Sequence, residues 1–214
     1  MAKLRIKPTI IAGVGINDAQ YVQQKFENTG ERLPSGKFKY KLVWTCPYFK
    51  VWKSMIDRCY APSSQKAVPT YHNVTVSSEW LVFSVFKRWM ESQDWKGKHL
   101  DKDFLENGDK VYSKSTCVFI DSSLNKFITD HKRARGAYLL GVTARPYGKF
   151  RARCSNPFTG KYEVLGDFND ELSAHYCWLD KKNQHAQKLA EVQKDIRVKN
   201  KLRTMYLKEN WIPC

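Results

Sequence analysis

The chain has 214 residues, which is enough for one or two domains that each bury a core. It carries 37 Lys and Arg against 21 Asp and Glu, a formal net charge of +16. Such a field attracts polyanions, and binding to phosphates releases condensed counterions, so nucleic acid is the partner that the composition favours. The basic residues are interleaved with Tyr, Trp and Phe in every segment, which argues against a merely basic, disordered tail. No apolar run approaches a membrane span and the first fifteen residues make a poor signal peptide, so we expect a cytoplasmic protein without a membrane partner.

The cysteines are scattered along the chain with no CxxC pair and no secretory context. This spacing predicts reduced, mostly buried thiols, and neither disulfides nor a structural zinc site is expected. The six residues are Cys46, Cys59, Cys117, Cys154, Cys177 and Cys214.

We interpret the first third of the chain as supporting structure for the elements that follow it. Residues 1–43 form a basic extension in which the pattern allows a helix over Asn17–Asn28 and predicts a loop over Leu33–Gly36, with no function assigned. Beyond it, apolar residues at helical spacing predict an amphipathic helix over Tyr48–Tyr60. A short strand over Tyr71–Val76 and a helix that begins at Ser77 are predicted next.

The only cluster of candidate metal ligands in the sequence lies between Lys98 and Phe127. The pattern predicts a strand around His99–Asp101, a turn over Glu106–Asp109, a strand over Cys117–Ile120 and a helix from Ser122. A strand and a helix packed together can direct one carboxylate and one amide at a divalent cation that prefers oxygen ligands.

This order of elements, with its LDKD, YS and Cys-containing strand and helical Asn, resembles the HNH, or ββα-metal, endonucleases of the phage-encoded homing type. The resemblance covers about residues 44–127 and implies a nuclease domain over 44–130. It implies that Asp101 and Asn125 hold Mg²⁺, or Mn²⁺ in its place, during hydrolysis of a DNA phosphodiester bond.

The chain departs from the family where the catalytic base is expected. In most HNH nucleases a histidine follows the ligand on the strand, because imidazole exchanges protons readily near neutral pH. Here Lys102 holds that place, and an ordinary lysine cation suits a phosphate contact better than a base. Three explanations stay open: His99 supplies the base from the same strand face as Asp101, a metal-bound hydroxide attacks without a protein base, or the site is catalytically weak. Further ligands or orienting groups could come from Asp103 and Asp121.

A basic linker over 131–139 precedes a segment of different patterning, residues 140–186. Strands are predicted at about Leu140–Arg145, Lys149–Ser155 and Lys161–Gly166, followed by a helix from Asp170. The order of GV, RPYGKF, LGDF and a helical Ala and Trp resembles the AP2 DNA-binding domain, which places a three-stranded sheet in the major groove.

Alternation along the second strand would turn Phe150, Ala152 and Cys154 to the helix and the intervening side chains outward. The resemblance implies that the DNA side carries Thr143, Arg145, Tyr147, Arg153, Ser155 and Tyr162, with backbone contacts from Lys149, Arg151 and Lys161.

Residues 187–214 are predicted to be a basic helical tail that extends the last helix. The complete interpretation is an α+β chain in which a metal-dependent HNH endonuclease or nickase is positioned on double-stranded DNA by an AP2-like sheet, in the host cytoplasm if the chain is phage-encoded. The alternatives are a catalytically weak or inactive DNA-binding regulator on the same scaffold, and an RNA-directed binder or nuclease. A monomer is compatible with this interpretation, and the oligomeric state stays open.

Overall fold

The computed structural model describes residues 7–106, 108, 110–129 and 137–210, and these form a mixed α+β chain. Contacts divide the chain into two compact units. The first contains Met1–Trp95 and Leu100–Cys117, and the second contains Lys96–His99 and Val118–Cys214. Among the described residues, no helix is long and apolar enough to cross a membrane.

The first unit is built from short strands and three helices. Its strands pair as β1 (Thr9–Ile11) with β2 (Gly15–Asn17), β3 (Gln24–Arg32) with β4 (Phe38–Thr45), and β5 (Thr75–Val76) with β7 (Val111–Tyr112). Two 3₁₀ turns, Pro69–Tyr71 and Ser78–Leu81, join the larger elements. The helices are α1 (Pro47–Tyr60), α2 (Pro62–Ala67) and α3 (Phe83–Glu91).

Aromatic side chains from α1 and α3 form the core of this unit. Trp52, Trp80 and Phe83 are almost fully buried, and the Trp52 ring lies 5.3 Å from that of Phe83. The Trp52 indole N–H donates to the carbonyl oxygen of Trp80 at 2.8 Å, so the polar atom of this buried side chain is satisfied. The predicted amphipathic helix is therefore confirmed, and its apolar face packs in a core.

Three predictions for this unit need correction. The helix allowed over Asn17–Asn28 is wrong, because this stretch contains the end of β2 and the start of β3. Pairing with β4, the next strand of the same hairpin, supplies hydrogen bonds that outweigh the local helix preference. The strand predicted over Tyr71–Val76 is limited to β5, and the helix predicted from Ser77 is a 3₁₀ turn followed by α3, with Val82 in extended conformation between them.

The second unit contains a three-stranded sheet with a long helix packed against it. A further strand, β6 (His99–Asp101), contributes its first residue, His99, to this unit. Two 3₁₀ turns cover Pro146–Gly148 and Lys208–Asn210. The other elements are β8 (Val118–Ile120), α4 (Ser122–Ile128), β9 (Val142–Arg145), β10 (Lys149–Ser155), β11 (Tyr162–Phe168), α5 (Glu171–Glu191) and α6 (Ile196–Thr204).

The larger sheet is antiparallel in the order β11-β10-β9. A register shift between Ala152 and Arg153 leaves Leu165 as the extra residue of a bulge on β11. The inner face of the sheet and α5 share a small core in which Val142, Ala152 and Ala174 are buried. Alternation along β10 follows the prediction, because Ala152 and Cys154 are buried while Arg153 and Ser155 are exposed.

The predicted tail helix requires a correction. Helix α5 ends at Glu191, and α6 begins separately at Ile196 after the cap Asp195, whose carboxylate accepts from the backbone N–H of Arg197 at 2.8 Å. A capping carboxylate satisfies the free N–H groups of a new first turn, which favours two helices over one. Residues 131–136 of the predicted linker lie outside the described residues, as do residue 130, Asn107 and Asp109 of the predicted turn, and residues 211–214 of the tail.

Candidate nucleic-acid interface and metal ligands

The outer face of the three-stranded sheet gathers the side chains that the sequence predicts to face DNA. Register places Arg151 opposite Thr143, and Ser155 opposite Tyr162. Residues opposite one another in an antiparallel pair point to the same face, so the three strands contribute to one surface. We call it the outer sheet face, and it comprises Thr143, Arg145, Lys149, Arg151, Arg153, Ser155, Tyr162, Val164 and Asp167.

Arg151 is held in place by a carboxylate on this face. Its guanidinium donates to both oxygens of Asp167, from Nε at 2.7 Å and from Nη2 at 2.8 Å. The hydrogen bonds from Arg151 hold the pKa of Asp167 below its usual range. A fixed, bidentate pair of this kind presents a planar guanidinium edge in one orientation.

Arg153 has a different environment, because its guanidinium lies over the ring of Tyr162 at 5.2 Å from the centroid. Tyr162 is 70% exposed, so the stacked pair is open to solvent. Stacking restrains the side chain without occupying its N–H donors, which leaves them available to guanine or phosphate.

The turn between β9 and β10 projects Tyr147 outward. This residue is 99% exposed and adopts φ +61°, a left-handed conformation that is uncommon outside glycine. The side chain of Lys149, just beyond the turn, bonds to the side-chain oxygen of Asn169. Lys161 lies at the opposite turn and is also exposed. All nine predicted DNA contacts therefore lie on the outer sheet face or on its flanking turns.

Two members of this face were missed by the sequence interpretation. Val164 is 62% exposed and follows Tyr162 by two residues, so simple alternation could have identified it. Asp167 has the opposite parity, and it reaches the outer face only because the bulge at Leu165 shifts the register. The local signal for this bulge is Gly166, which follows Leu165 and adopts φ +145°, because an isolated glycine within a strand often marks a bulge.

In the first unit, Asp101 organises a tight turn after its strand. Its Oδ1 accepts the backbone N–H of Asp103 at 2.8 Å and that of Phe104 at 2.7 Å. Within the described part of the chain, Oδ2 has no hydrogen-bond partner. One oxygen of the carboxylate therefore orients the side chain and leaves the other for a ligand.

Lys102 is buried rather than directed at solvent, with 8% of its surface exposed. Its ammonium lies 2.5 Å from Oδ1 of Asp103. As placed, Lys102 neutralises its neighbour, and a contact with a DNA phosphate requires the side chain to leave that partner.

In the second unit, His99 lies at the start of the predicted strand, β6, and Asn125 lies in the predicted helix, α4. His99 is exposed, and its Nε2 lies 3.0 Å from Oγ of Ser122, at the first turn of α4. The Asn125 side chain is exposed on the same helix. Asp101 belongs to the first unit and Asn125 to the second.

Asp121 is the N-cap of α4. Its Oδ1 accepts from the backbone N–H of Leu124 at 2.7 Å and from the hydroxyl of Ser123 at 2.9 Å. Burial alone would raise the pKa of Asp121, but these hydrogen bonds and the nearby charge of Lys98 lower it. The carboxylate is thus used in the helix cap, which favours an orienting role over direct metal ligation.

The residue types of the predicted pair fit a hard cation. Mg²⁺ prefers oxygen ligands and keeps several waters, so a carboxylate oxygen of Asp101 in the first unit and the amide oxygen of Asn125 in the second are each chemically suited to it. Among the described residues, no three His, Cys, Asp or Glu side chains cluster as a metal site. The cysteines of the same residues are free, with four buried and Cys177 half-buried, and Cys214 lies outside them.

Comparison of the chain with models of known protein families, with curated proteins and with solved structures gives no match.

Proposed function

We propose that the chain binds double-stranded DNA through the outer sheet face. The observation that carries this proposal is the register of β9, β10 and β11, which aligns Arg145, Arg151 and Arg153 on one exposed surface while α5 covers the other. The major groove of B-DNA admits elements of this kind, and arginine can form two hydrogen bonds with the O6 and N7 atoms of guanine.

Charge supports DNA as the partner. The whole chain carries +16, and the only acidic residue on the outer sheet face, among the residues that the structure describes, is Asp167, which is bonded to Arg151. The face is therefore cationic in balance, and phosphate contacts at its edges would supply affinity without reading sequence.

The geometry also separates candidate base contacts from candidate backbone contacts on the outer sheet face. The exposed Arg153, restrained by Tyr162, is suited to read a base edge. Arg151 is anchored by Asp167, and Lys149 and Lys161 lie at the turns, so these three are better placed for the DNA backbone.

The test of binding is the affinity for a short mixed-sequence duplex, measured by fluorescence anisotropy. Arg153→Ala is expected to weaken binding about tenfold, the effect of one lost arginine contact. The matched control is Arg197→Ala, which removes an arginine that pairs with Asp195 at the start of α6. Equal loss in both variants would indicate a general charge effect and would count against the sheet.

We further propose that the bound DNA is hydrolysed with a divalent cation, for which Asp101 in the first unit and Asn125 in the second are the candidate ligands. The favouring observation is the carboxylate of Asp101, with Oδ1 fixed by two backbone N–H groups and Oδ2 without a partner in the described part of the chain. A bound cation of this type would neutralise charge that develops on the phosphate and its leaving oxygen.

Side chains of the protein would then orient the metal ligands and transfer protons. The turn of Asp101 fixes its carboxylate, and the cap of Asp121 fixes the helix that bears Asn125. His99 is the candidate base that accepts a proton from water, because its imidazole is exposed and only a serine hydroxyl is bonded to its Nε2. Lys102 stays a predicted phosphate contact that would have to exchange Asp103 for DNA.

Supercoiled plasmid with Mg²⁺ or Mn²⁺ tests hydrolysis. Asp101→Asn is the informative variant, because its side-chain oxygen can still accept the turn's N–H groups while the charge that favours a cation is removed. We expect loss of nicking by Asp101→Asn and by Asn125→Ala, with duplex binding retained. The control Asp180→Asn removes an exposed carboxylate that pairs with Lys208, and it should nick like the unaltered chain.

The same assay separates the alternatives. Tight duplex binding without any nicking would identify a DNA-binding regulator, and nicking by Asp101→Asn at the unaltered rate would refute the ligand assignment. Preference for an RNA hairpin over the DNA duplex would indicate an RNA-directed protein.

A further inference from the structure

The β3–β4 hairpin is exposed to solvent over almost its whole length. Of the residues in β3 and β4, only Gln24 and Thr45 at the base of the hairpin are partly covered. The turn is closed by Gly36, whose N–H donates to the carbonyl of Leu33 at 2.8 Å. An isolated two-stranded hairpin is marginally stable in water, so binding of a partner to its exposed side chains would stabilise it.

The two faces of the hairpin differ in chemistry. On one face, Phe26 lies opposite Leu42, and Tyr40 lies opposite Asn28. Phe38 extends this face and carries the guanidinium of Arg32 at 4.4 Å from its ring centroid. We call it the aromatic face, and it comprises Phe26, Arg32, Phe38, Tyr40 and Leu42.

The opposite face is mainly charged, and the register shift between Lys25 and Phe26 places Trp44, which lies opposite Lys25, on this face. Glu27 lies opposite Lys41, and Lys39 pairs with Glu31 at 2.7 Å. Both acidic residues of the hairpin therefore face a lysine. The whole segment 24–45 contains five basic and two acidic residues, so it is cationic in balance.

A cleft of about 600 Å³ opens at the base of the hairpin, between β4 and α1. Trp44 lies on its β4 side, with the Lys25 ammonium 5.7 Å from the ring centroid. Helix α1 supplies Lys50, Lys53 and Arg58 to the lining, together with Asp57, which is paired with Lys53. The volume falls within the range of small-ligand sites, and an aromatic ring beside cations suits a nucleobase attached to phosphate.

We propose that the aromatic face and this cleft bind an unpaired strand of nucleic acid. Proteins that bind single strands combine aromatic platforms, on which bases stack, with cations that follow the backbone. Phe26 and Tyr40 are 55% and 60% exposed, so their rings are open to such stacking. Leu42 of the aromatic face also lines the cleft, so a bound strand can continue from Phe26 and Tyr40 into it, with its phosphates beside Lys50. Trp44 lines the same cleft from the opposite face of the hairpin.

Charge decides against a second copy of the chain as the occupant. Two aromatic faces packed together would juxtapose two cationic hairpins on chains that each carry +16, whereas a polyanionic strand neutralises them. This site lies within the first unit and does not depend on the duplex contact of the outer sheet face.

The test measures binding of fluorescein-labelled oligothymidine and oligouridine to the full chain by anisotropy, with the mixed-sequence duplex in parallel. Tyr40→Ala and Trp44→Ala are each expected to weaken single-strand binding about tenfold, a typical effect of losing one stacked base. Tyr40→Phe keeps the ring and should bind like the unaltered chain. The two oligonucleotides distinguish a DNA strand from an RNA strand.

Arg153→Ala separates this proposal from the proposed function, because it should weaken duplex binding and leave oligothymidine binding unchanged. Equal single-strand affinity of Tyr40→Ala, Trp44→Ala and the unaltered chain, with circular dichroism showing intact folds, would overturn the proposal. So would a dimer in light scattering that Tyr40→Ala dissociates, since the aromatic face would then be occupied by a second copy.

Discussion

The ammonium of Lys182 lies 2.5 Å from the carbonyl oxygen of Phe127 and 3.6 Å from the centroid of the Phe127 ring. Lys182 is buried in α5, and Phe127 lies near the end of α4. The ring centroids of Trp178 and Tyr206 lie 5.9 and 5.5 Å from the same ammonium. A buried cation thus connects the helix that bears Asn125 to the helix that supports the outer sheet face.

This environment predicts an alkaline dependence of stability. Burial lowers the pKa of Lys182 from 10.5 to about 8. Between these values the unfolded chain binds more protons than the folded chain, so the free energy of unfolding should rise with pH across that window and be lowest below it. The contribution is on the order of 1–3 kcal/mol, since each pKa unit corresponds to about 1.4 kcal/mol.

Urea unfolding of Lys182→Met, compared with the unaltered chain at neutral and alkaline pH, measures this contribution. The methionine variant should be at least as stable at neutral pH and should lack the rise. Lys188→Met, at an exposed position of the same helix, should keep it. A parallel pH dependence in the unaltered chain and Lys182→Met would contradict the prediction.

Gly141 is predicted to be intolerant of any side chain. It adopts φ +77°, and a Cβ there would lie 2.0 Å from Cγ of Trp178. Gly141→Ala should therefore destabilise the second unit by roughly 3 kcal/mol or more, because both the backbone and the tryptophan must move. Thermal unfolding followed by circular dichroism measures the loss.

Gly160 provides the matched control for that substitution. It has φ +70° but open space around a Cβ. Gly160→Ala should cost only about 1 kcal/mol of backbone strain. If the two alanine variants melted at the same temperature, the contact with Trp178 would have no role.

Glu163 should contribute to stability in a window of acidic pH. Hydrogen bonds from Asn156, Lys181 and His185 lower its pKa from 4.5 to about 2. An acid with a depressed pKa stabilises the fold above its unfolded value, and this contribution is lost as the pH falls from 4.5 toward 2. Above pH 4.5, Glu163→Gln should have a lower free energy of unfolding than the unaltered chain, and this free energy should fall less steeply as the pH is lowered toward 2. Glu209→Gln should follow the unaltered chain.

The Trp52 indole is expected to stabilise the first unit beyond its packing. Trp52→Phe leaves the Trp80 carbonyl without its 2.8 Å partner in a core position and should cost about 1–3 kcal/mol. Trp44→Phe, at a 42% exposed position, should cost much less. Urea unfolding of both variants checks the difference, and equal losses would mean that the buried hydrogen bond contributes little.

Elements with a strong local pattern could be predicted from sequence. The alternation Phe150, Ala152, Cys154 follows from period-two geometry, and β10 has the predicted bounds. The helical spacing of Trp52 and Ile56 likewise identified α1.

Strand β3 (Gln24–Arg32) was missed, although the predicted loop at Leu33–Gly36 and the period-two spacing of Phe38, Tyr40 and Leu42 were usable signals of a hairpin. Other features depend on contacts between distant segments. The burial of Lys102 and the ring cluster around Lys182 are set by tertiary packing, and no local motif marks them.

The most direct test of duplex binding by the outer sheet face is photochemical crosslinking to a halogenated DNA duplex, with the attached peptides mapped by mass spectrometry. Tyr147 and Tyr162 are 99% and 70% exposed, and both aromatic rings can form such crosslinks. We expect crosslinks within Val142–Phe168, centred on these two tyrosines, and their loss when excess unlabelled duplex competes. Crosslinks confined to other segments, with none between β9 and β11, would contradict the proposal.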